Sequence, residues 1–277
     1  MSVSWTSGDE PEPAAPGLSG RLRFWARALP AGTMIFGGLG LLLVLRVFER
    51  LFCGVHRPVT GRLVQLVCRG FYRIIGMEFR VTGRPMAEGG AVVANHASWL
   101  DIFTLNAAKR IYFVSKAEVA GWFGIGWLAR ATGTIFIRRD RREAQAQTGI
   151  FRERLAAGHT LLFFPEGTST DGMRVLPFKT TLFAAFFEPA LRDTLYVQPV
   201  TVVYHAPAGE DPRFYGWWGD MSFGAALVKV LSHRRQGHVE VIWHPPLRVA
   251  DFADRKVLAA RAEAMVRGGM PEDRQIT

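Results

Sequence analysis

Hydrophobic and polar positions divide the chain into three textures. Residues 1–20, MSVSWTSGDEPEPAAPGLSG, mix Pro, Gly, Ser and acid with no apolar period, which predicts an unstructured tail. The run ALPAGTMIFGGLGLLLVL, residues 28–45, carries no charge and lies between Arg21, Arg23 and Arg27 on one side and Arg46 and Arg50 on the other. Its 18 residues stand at the lower limit for a helix that crosses a bilayer. Pro30 and four glycines make it a poor helix for a soluble core, and no small-residue cleavage site follows that would mark a signal peptide. Arginines flank both ends, so charge sets no firm orientation. In GRLVQLVCRGFYRIIGMEFRV, Leu63, Val67, Phe71 and Ile74 share a helical face while Arg62, Arg69 and Arg73 gather elsewhere. Beside the uncharged run, this basic amphipathic pattern reads as an interfacial helix, and residues 21–75 are expected to anchor the chain to a membrane.

From about residue 78 the pattern changes to short apolar runs: AVVAN, IYFVS, TIFIR, TLLFFP, YVQPVTVVY and VEVIWH. Segments of helical length separate several of them, at 118–131, 141–157 and 179–188, and a last helix is expected over 253–267. Strands alternating with helices predict an α/β fold with a largely parallel sheet and flanking helices, preceded by the N-terminal membrane-associated segment. Neither an internal repeat nor a linker divides residues 76–277, which read as one catalytic domain. Pro199 interrupts the pattern of its run and predicts an edge, a bulge or a bend lining a site rather than a central strand.

Composition narrows the class. Of 277 residues, 49% are hydrophobic and 21% charged, which excludes wholesale disorder. Lys and Arg outnumber Asp and Glu by 34 to 24, and the net charge of +10 points to an anionic partner such as a membrane surface or an acidic substrate. The two cysteines, Cys53 and Cys68, form neither a disulfide framework nor a zinc cluster, so no metal or other cofactor is expected.

Candidate chemistry concentrates at strand ends. AVVAN runs into His96, and Asp101 follows five residues later. Ser98 and Asp101 have the spacing of a capping box, with Ser98 as N-cap, which makes Asp101 either a helix cap or the carboxylate that orients His96. Glu166 lies at the end of TLLFFP beside a turn at Gly167. TIFI delivers Arg138 and Arg139 to its end, where a guanidinium suits a phosphate or carboxylate, while Arg141 and Arg142 read as a basic helix start.

In their order and spacing NHASWLD, GTIFIRR, FPEGT and VQPV resemble the four motif blocks of the glycerolipid acyltransferases, a family that includes the bacterial 1-acylglycerol-3-phosphate acyltransferases. The resemblance covers residues 75–245 and implies that His96 is the general base and Asp101 its orienter. It also implies that Arg139 and Glu166 bind the polar head of the acceptor, that Gly167 and Thr168 shape the adjoining turn, and that Lys116 lies beside the active site. Two positions depart from the pattern: Arg138 stands where Asp is frequent, and Ser169 stands where Arg usually follows Glu-Gly-Thr. FPEGTSTDGMRVLPFKTTLF is instead similar to the relatives that acylate lyso-ornithine lipid, an aminolipid without phosphate, and FYGWWGDMSFGAAL resembles a segment of the lysolipid-acylating branch. Arg174 or Lys179 is the alternative source of the missing charge.

The expected activity is therefore transfer of an acyl group from acyl-ACP or acyl-CoA to a lysolipid hydroxyl, at a bacterial inner membrane with the site facing the cytoplasm. A basic surface-binding protein is the rival from another class; no nucleic-acid motif supports a nucleic-acid partner, and no Gly-x-Ser-x-Gly elbow supports a serine hydrolase.

Overall fold

The computed structural model describes residues 5–11, 14–121, 125–137 and 144–275. Arg138, Arg139, Arg141 and Arg142 lie outside the described residues, so the basic block after TIFI has no structural account here.

The uncharged run is the middle of a much longer helix, α1 (Leu18–Cys53). Its Ala31, Leu39 and Leu42 are buried, whereas Leu22, Trp25, Leu29, Phe36, Val44, Val47, Phe48, Leu51 and Phe52 are exposed. The buried side packs on α2 (Thr60–Ile75). Two glycines permit the close approach: a β-carbon at Gly38 would lie 2.8 Å from Val67, and one at Gly70 would lie 2.5 Å from the sulfur of Met34. Glu49, an acid in an apolar helix, accepts the backbone N–H groups of Val59 (2.7 Å) and Thr60 (2.9 Å) and so caps the start of α2.

Helix α2 stops where Gly76 takes a left-handed φ of +75°, and β1 (Glu78–Thr82) follows at once. The remaining elements are β2 (Gly90–Ala94), α3 (Asp101–Ala108), β3 (Tyr112–Lys116), α4 (Ile125–Thr132), β4 (Ile135–Ile137), α5 (Ala144–Ala156), β5 (Leu161–Phe163), α6 (Pro189–Arg192), β6 (Tyr196–His205), α7 (Phe223–Ser232), β7 (His238–Trp243), β8 (Leu247–Arg248) and α8 (Arg255–Gly268). Short 3₁₀ turns at Ala117–Gly121 and Thr180–Phe187 replace parts of the helices expected over 118–131 and 179–188.

Among the described residues the strands form one sheet in the order β1-β7-β6-β2-β5-β3-β4, with β8 on β6. Every pair is parallel except β6–β7 and β6–β8. The central strands are apolar on both faces because both are covered. Val92, Ala94, Leu162, Val200, Val202 and Tyr204 pack with α2, α3 and α7, whereas Ala91, Val93, Leu161, Phe163, Val197 and Val203 pack with α5 and α8.

Pro199 is not at an edge of the sheet, since β6 has neighbours on both sides. Its ladder is interrupted there: β7 leaves β6 at the Val200–Trp243 pair and β8 joins only at Val197–Leu247. The Pro199 carbonyl accepts from His244 N–H in that gap, so the missing donor disrupts no regular ladder position.

Described residues of the N-terminal segment meet the domain. Trp5 lies 6.3 Å from Trp218 and 5.1 Å from the Arg174 guanidinium, Asp9 pairs with Arg213 at 2.9 Å, and Trp5 N–H reaches Thr168 Oγ1 at 3.2 Å. Anchors of this kind are single residues and leave no periodic trace in a polar segment.

Candidate active site

The site forms at the carboxyl end of β2, on the face of the sheet that carries α2 and α3. Strand β2 pairs with β6 as far as Ala94, opposite Val200. Asn95 then continues the ladder with its side chain: Nδ2 donates to Val202 O (2.9 Å) and Oδ1 accepts from Val202 N–H (2.8 Å). The amide takes the part of a strand residue while its backbone turns away, which explains an Asn at the end of an apolar strand.

His96 is fixed at both backbone ends. Its N–H donates to Glu166 Oε1 at 2.7 Å, and its carbonyl accepts from Thr170 N–H at 2.9 Å. The imidazole stacks on Phe164 with centroids 4.1 Å apart and planes 13° apart. Its Nδ1 lies 2.6 Å from Asp101 Oδ2. With Nδ1 carrying the proton toward the carboxylate, Nε2 holds the lone pair, and the side chain remains 22% exposed.

Asp101 begins α3, is fully buried, and accepts four donors. Oδ2 takes His96 Nδ1 and the backbone N–H groups of Ala97 (2.9 Å) and Ser98 (3.1 Å); Oδ1 takes the Tyr204 hydroxyl at 2.7 Å. The carboxylate that orients His96 thus also holds the loop N–H groups ahead of α3, whose N-cap is Leu100 rather than Ser98. Ser98 Oγ accepts from Leu100 N–H and donates to Tyr215 O at 2.6 Å, so its bond falls one position earlier than in a full capping box. The Trp-rich segment closes over this loop, with Trp217 N–H donating to Ala97 O.

Glu166 is brought beside His96. It is 1% exposed, and its second oxygen accepts Leu176 N–H at 2.8 Å, so both oxygens are occupied by backbone donors. Burial pushes its carboxyl up to about 8, against the pull of those two N–H groups. Gly167 follows with φ +72° in a turn closed by its N–H on Phe164 O, and a β-carbon there would meet Lys179 Nζ at 2.6 Å. Thr168 faces the N-terminal segment through Trp5. Lys116 ends β3 in register with Ile137 of β4. Arg139 is outside the described residues. Among the described residues no group of three or more His, Cys, Asp or Glu side chains is arranged to hold a metal ion.

Reading the sequence did not single out Asn95, Phe164, Thr170 or Tyr204. Only Asn95, next to His96, offered a local signal, as a polar residue ending an apolar strand.

A family model described as "Acyltransferase" matches residues 78–203, which run from β1 into β6 and include His96, Asp101 and Glu166. A lyso-ornithine lipid O-acyltransferase of Rhodobacter capsulatus is 59% identical over 264 residues, 95% of this chain and 96% of that protein. A 1-acyl-sn-glycerol-3-phosphate acyltransferase of Neisseria gonorrhoeae is 31% identical over 206 residues, 73% of this chain and 77% of its own length. Among solved structures, the 1-acyl-sn-glycerophosphate acyltransferase PlsC of Thermotoga maritima superposes with a TM-score of 0.63 at 21% identity, over 90% of this chain and 94% of that one, which establishes the shared fold. Identity of this extent along nearly the whole length settles the family: the chain belongs to the acyltransferases of lysolipids and is an enzyme that joins an acyl donor to a lipid acceptor.

Proposed function

We propose that the enzyme transfers a fatty acyl group from an acyl thioester, carried on ACP or CoA, to the hydroxyl of lyso-ornithine lipid. The single observation that carries the chemistry is the 2.6 Å contact of His96 Nδ1 with buried Asp101, which leaves Nε2 as the base. Nε2 removes the acceptor proton as the hydroxyl oxygen attacks the thioester carbonyl. The tetrahedral oxyanion then collapses, and the thiolate leaves with the proton returned by the imidazolium. Asp101 fixes the tautomer and stabilises the imidazolium; assistance of this kind supplies about 10²–10⁴ in rate.

The acceptor assignment rests on Ser169, which stands where the phosphate-binding motif usually places Arg, and on the 59% identity to a protein named for lyso-ornithine lipid. Arg139, Lys116, Gly167 and Thr168 keep their proposed place at the substrates. For Glu166, 1% exposed and holding one backbone N–H on each oxygen, we propose a bracing role in place of direct contact with an acceptor amine. It ties the His96 loop to the segment at Leu176.

We assign the exposed apolar face of α1 to a membrane. Arg23 donates to Ser232 O (2.9 Å), and Arg27 to Leu231 O (3.0 Å) and His233 O (2.6 Å), which ties the start of α1 to the end of α7. α1 therefore rides on the domain through α7 and α2 and offers its other side to lipid. ACP and CoA thioesters are made in the cytoplasm, so the site faces that side of the inner membrane.

A side-by-side assay of the purified enzyme with lyso-ornithine lipid and lysophosphatidic acid, using one acyl donor, tests the acceptor. A guanidinium–phosphate interaction of about 1.5–3 kcal/mol corresponds to a preference of roughly one to two orders of magnitude for lyso-ornithine lipid. A preference for lysophosphatidic acid overturns the acceptor assignment and leaves acyl transfer standing.

A further inference from the structure

Behind the His96–Asp101 pair runs a buried line of hydroxyls that the reaction as written does not use. Tyr204 Oη donates to Asp101 Oδ1 at 2.7 Å and lies 2.7 Å from Thr104 Oγ1. Thr104 Oγ1 in turn contacts the Tyr72 hydroxyl and lies 3.0 Å from Leu100 O. Tyr72, Thr104 and Tyr204 are all buried and come from α2, α3 and β6, three elements that meet only in the folded chain. Such a set in an otherwise apolar core is costly unless every member is satisfied.

Counting protons gives the line a direction. An ionised carboxylate and a backbone carbonyl accept only, so the Tyr204 proton goes to Asp101, and the Tyr72 proton goes to Thr104. The Thr104 proton alone has a choice, between Leu100 O and Tyr204 Oη. On Tyr204 it polarises the phenol and strengthens the donation to Asp101. Burial raises the Tyr204 phenol well above the ordinary tyrosine range, so it stays a protonated donor at working pH.

We propose that Tyr204, backed by Thr104 and Tyr72, is a positioning residue for acyl transfer: it holds the Asp101 carboxylate at Oδ1 so that Oδ2 stays on His96, and it keeps the carboxylate a weak enough base that the proton taken from the acceptor remains on the imidazole. The proposal rests on His96 acting as the base.

The charged and titratable groups around Asp101 and Tyr204 are few. His96 and Glu166 face them from the loops after β2 and β5, Tyr72 and Cys68 from α2, Tyr215 from the Trp-rich segment, and Arg274 through the Tyr204 carbonyl at 2.7 Å. Glu166, pushed up to about 8 chiefly by burial, titrates in the window of interest but does not touch Tyr204, so its own contribution is common to both pH profiles.

The test is the pH profile of kcat/KM for the full-length enzyme in detergent, with Tyr204→Phe, Thr104→Val, Tyr72→Phe and His96→Ala beside the unmodified protein. Loss of the Tyr204 donor makes Asp101 more basic and stabilises the imidazolium, so the acid limb moves to higher pH. The expected result for Tyr204→Phe is a limb raised by about half to one unit, equivalent to a three- to tenfold change between protonation states. With it comes a kcat about tenfold lower and KM values within twofold. Thr104→Val moves the limb the same way by less, and Tyr72→Phe by least. A limb and kcat like those of the unmodified enzyme in Tyr204→Phe, while His96→Ala is inactive, overturn the proposal and spare the base. Activity retained by His96→Ala overturns the base reading and the proposal with it. If Tyr204→Phe fails to fold, the limb of Thr104→Val decides: a rise supports the proposal, and no movement refutes it.

Discussion

Replacing Asp101 by Asn separates its two tasks. The backbone N–H groups of Ala97 and Ser98 point at Oδ2, so an amide placed there keeps its oxygen on that side and turns its NH₂ toward Tyr204. The phenol can then turn and accept, releasing its proton to Thr104, 2.7 Å away. The loop N–H groups of Ala97 and Ser98 keep an oxygen acceptor, and His96 keeps its tautomer. What disappears is the charge. A carboxylate and an imidazolium about 4 Å apart attract by about 4 kcal/mol at an effective dielectric near 20, and a proton only partly transferred realises roughly half to all of that. A loss of about 2–4 kcal/mol in the transition state lowers kcat by about 30- to 1,000-fold. The melting temperature should stay within about 4 °C, the equivalent of about 1 kcal/mol for a domain of this size. Initial rates with a radiolabelled acyl donor and a thermal melt, both in the same detergent, decide the matter. A kcat within about threefold of the unmodified enzyme at an unchanged melting temperature would refute the orienting role and leave Asp101 a tie for the loop ahead of α3.

Two further outcomes follow from the brace and the tail. Glu166 has its folded value raised from 4.5 to about 8 by burial, so the stability it contributes is complete below about pH 4.5 and is lost as pH rises through 8. The apparent melting temperature of the unmodified enzyme should fall between pH 5 and pH 9 more steeply than that of Glu166→Gln, with a difference on the order of a few kcal/mol, and parallel curves would contradict the burial argument. Residues Trp5, Thr6, Ser7 and Asp9 line an open surface recess whose other side includes Asp171, Arg174 and Arg213. Deleting residues 1–11 should raise KM for the lysolipid several-fold with kcat within twofold, and an unchanged KM would show that the segment takes no part in binding.

The catalytic pair was legible because His96 and Asp101 are close in sequence, and a local turn is enough to bring them together. Tyr204 was not, since it lies 103 residues from Asp101 and its place depends on the register of β6 against β2. At the end of the run YVQPVTVVY it looked like one more core residue. The sheet was readable where an apolar run had turn residues at both ends, as in β2 and β5. β1 was missed because EFRV continues the apolar and basic alternation of α2; the left-handed Gly76 that separates them was the available signal. Glu166 illustrates a different limit. A strand-end acid beside a Gly turn looks solvated in sequence, and only the His96 and Leu176 N–H groups, 70 and 10 residues away, show that its oxygens are occupied. Ser169 remains the position from which most can be inferred about the acceptor.

The most direct test of the account is the turnover of His96→Ala with lyso-ornithine lipid and a saturating acyl donor. Nε2 of His96 is the proposed base, and its backbone contacts to Glu166 and Thr170 do not depend on the side chain, so the variant should fold and remain with the membrane. Without that base kcat should fall by about two to four orders of magnitude, the share that general-base assistance supplies. A kcat within about threefold of the unmodified enzyme would contradict it.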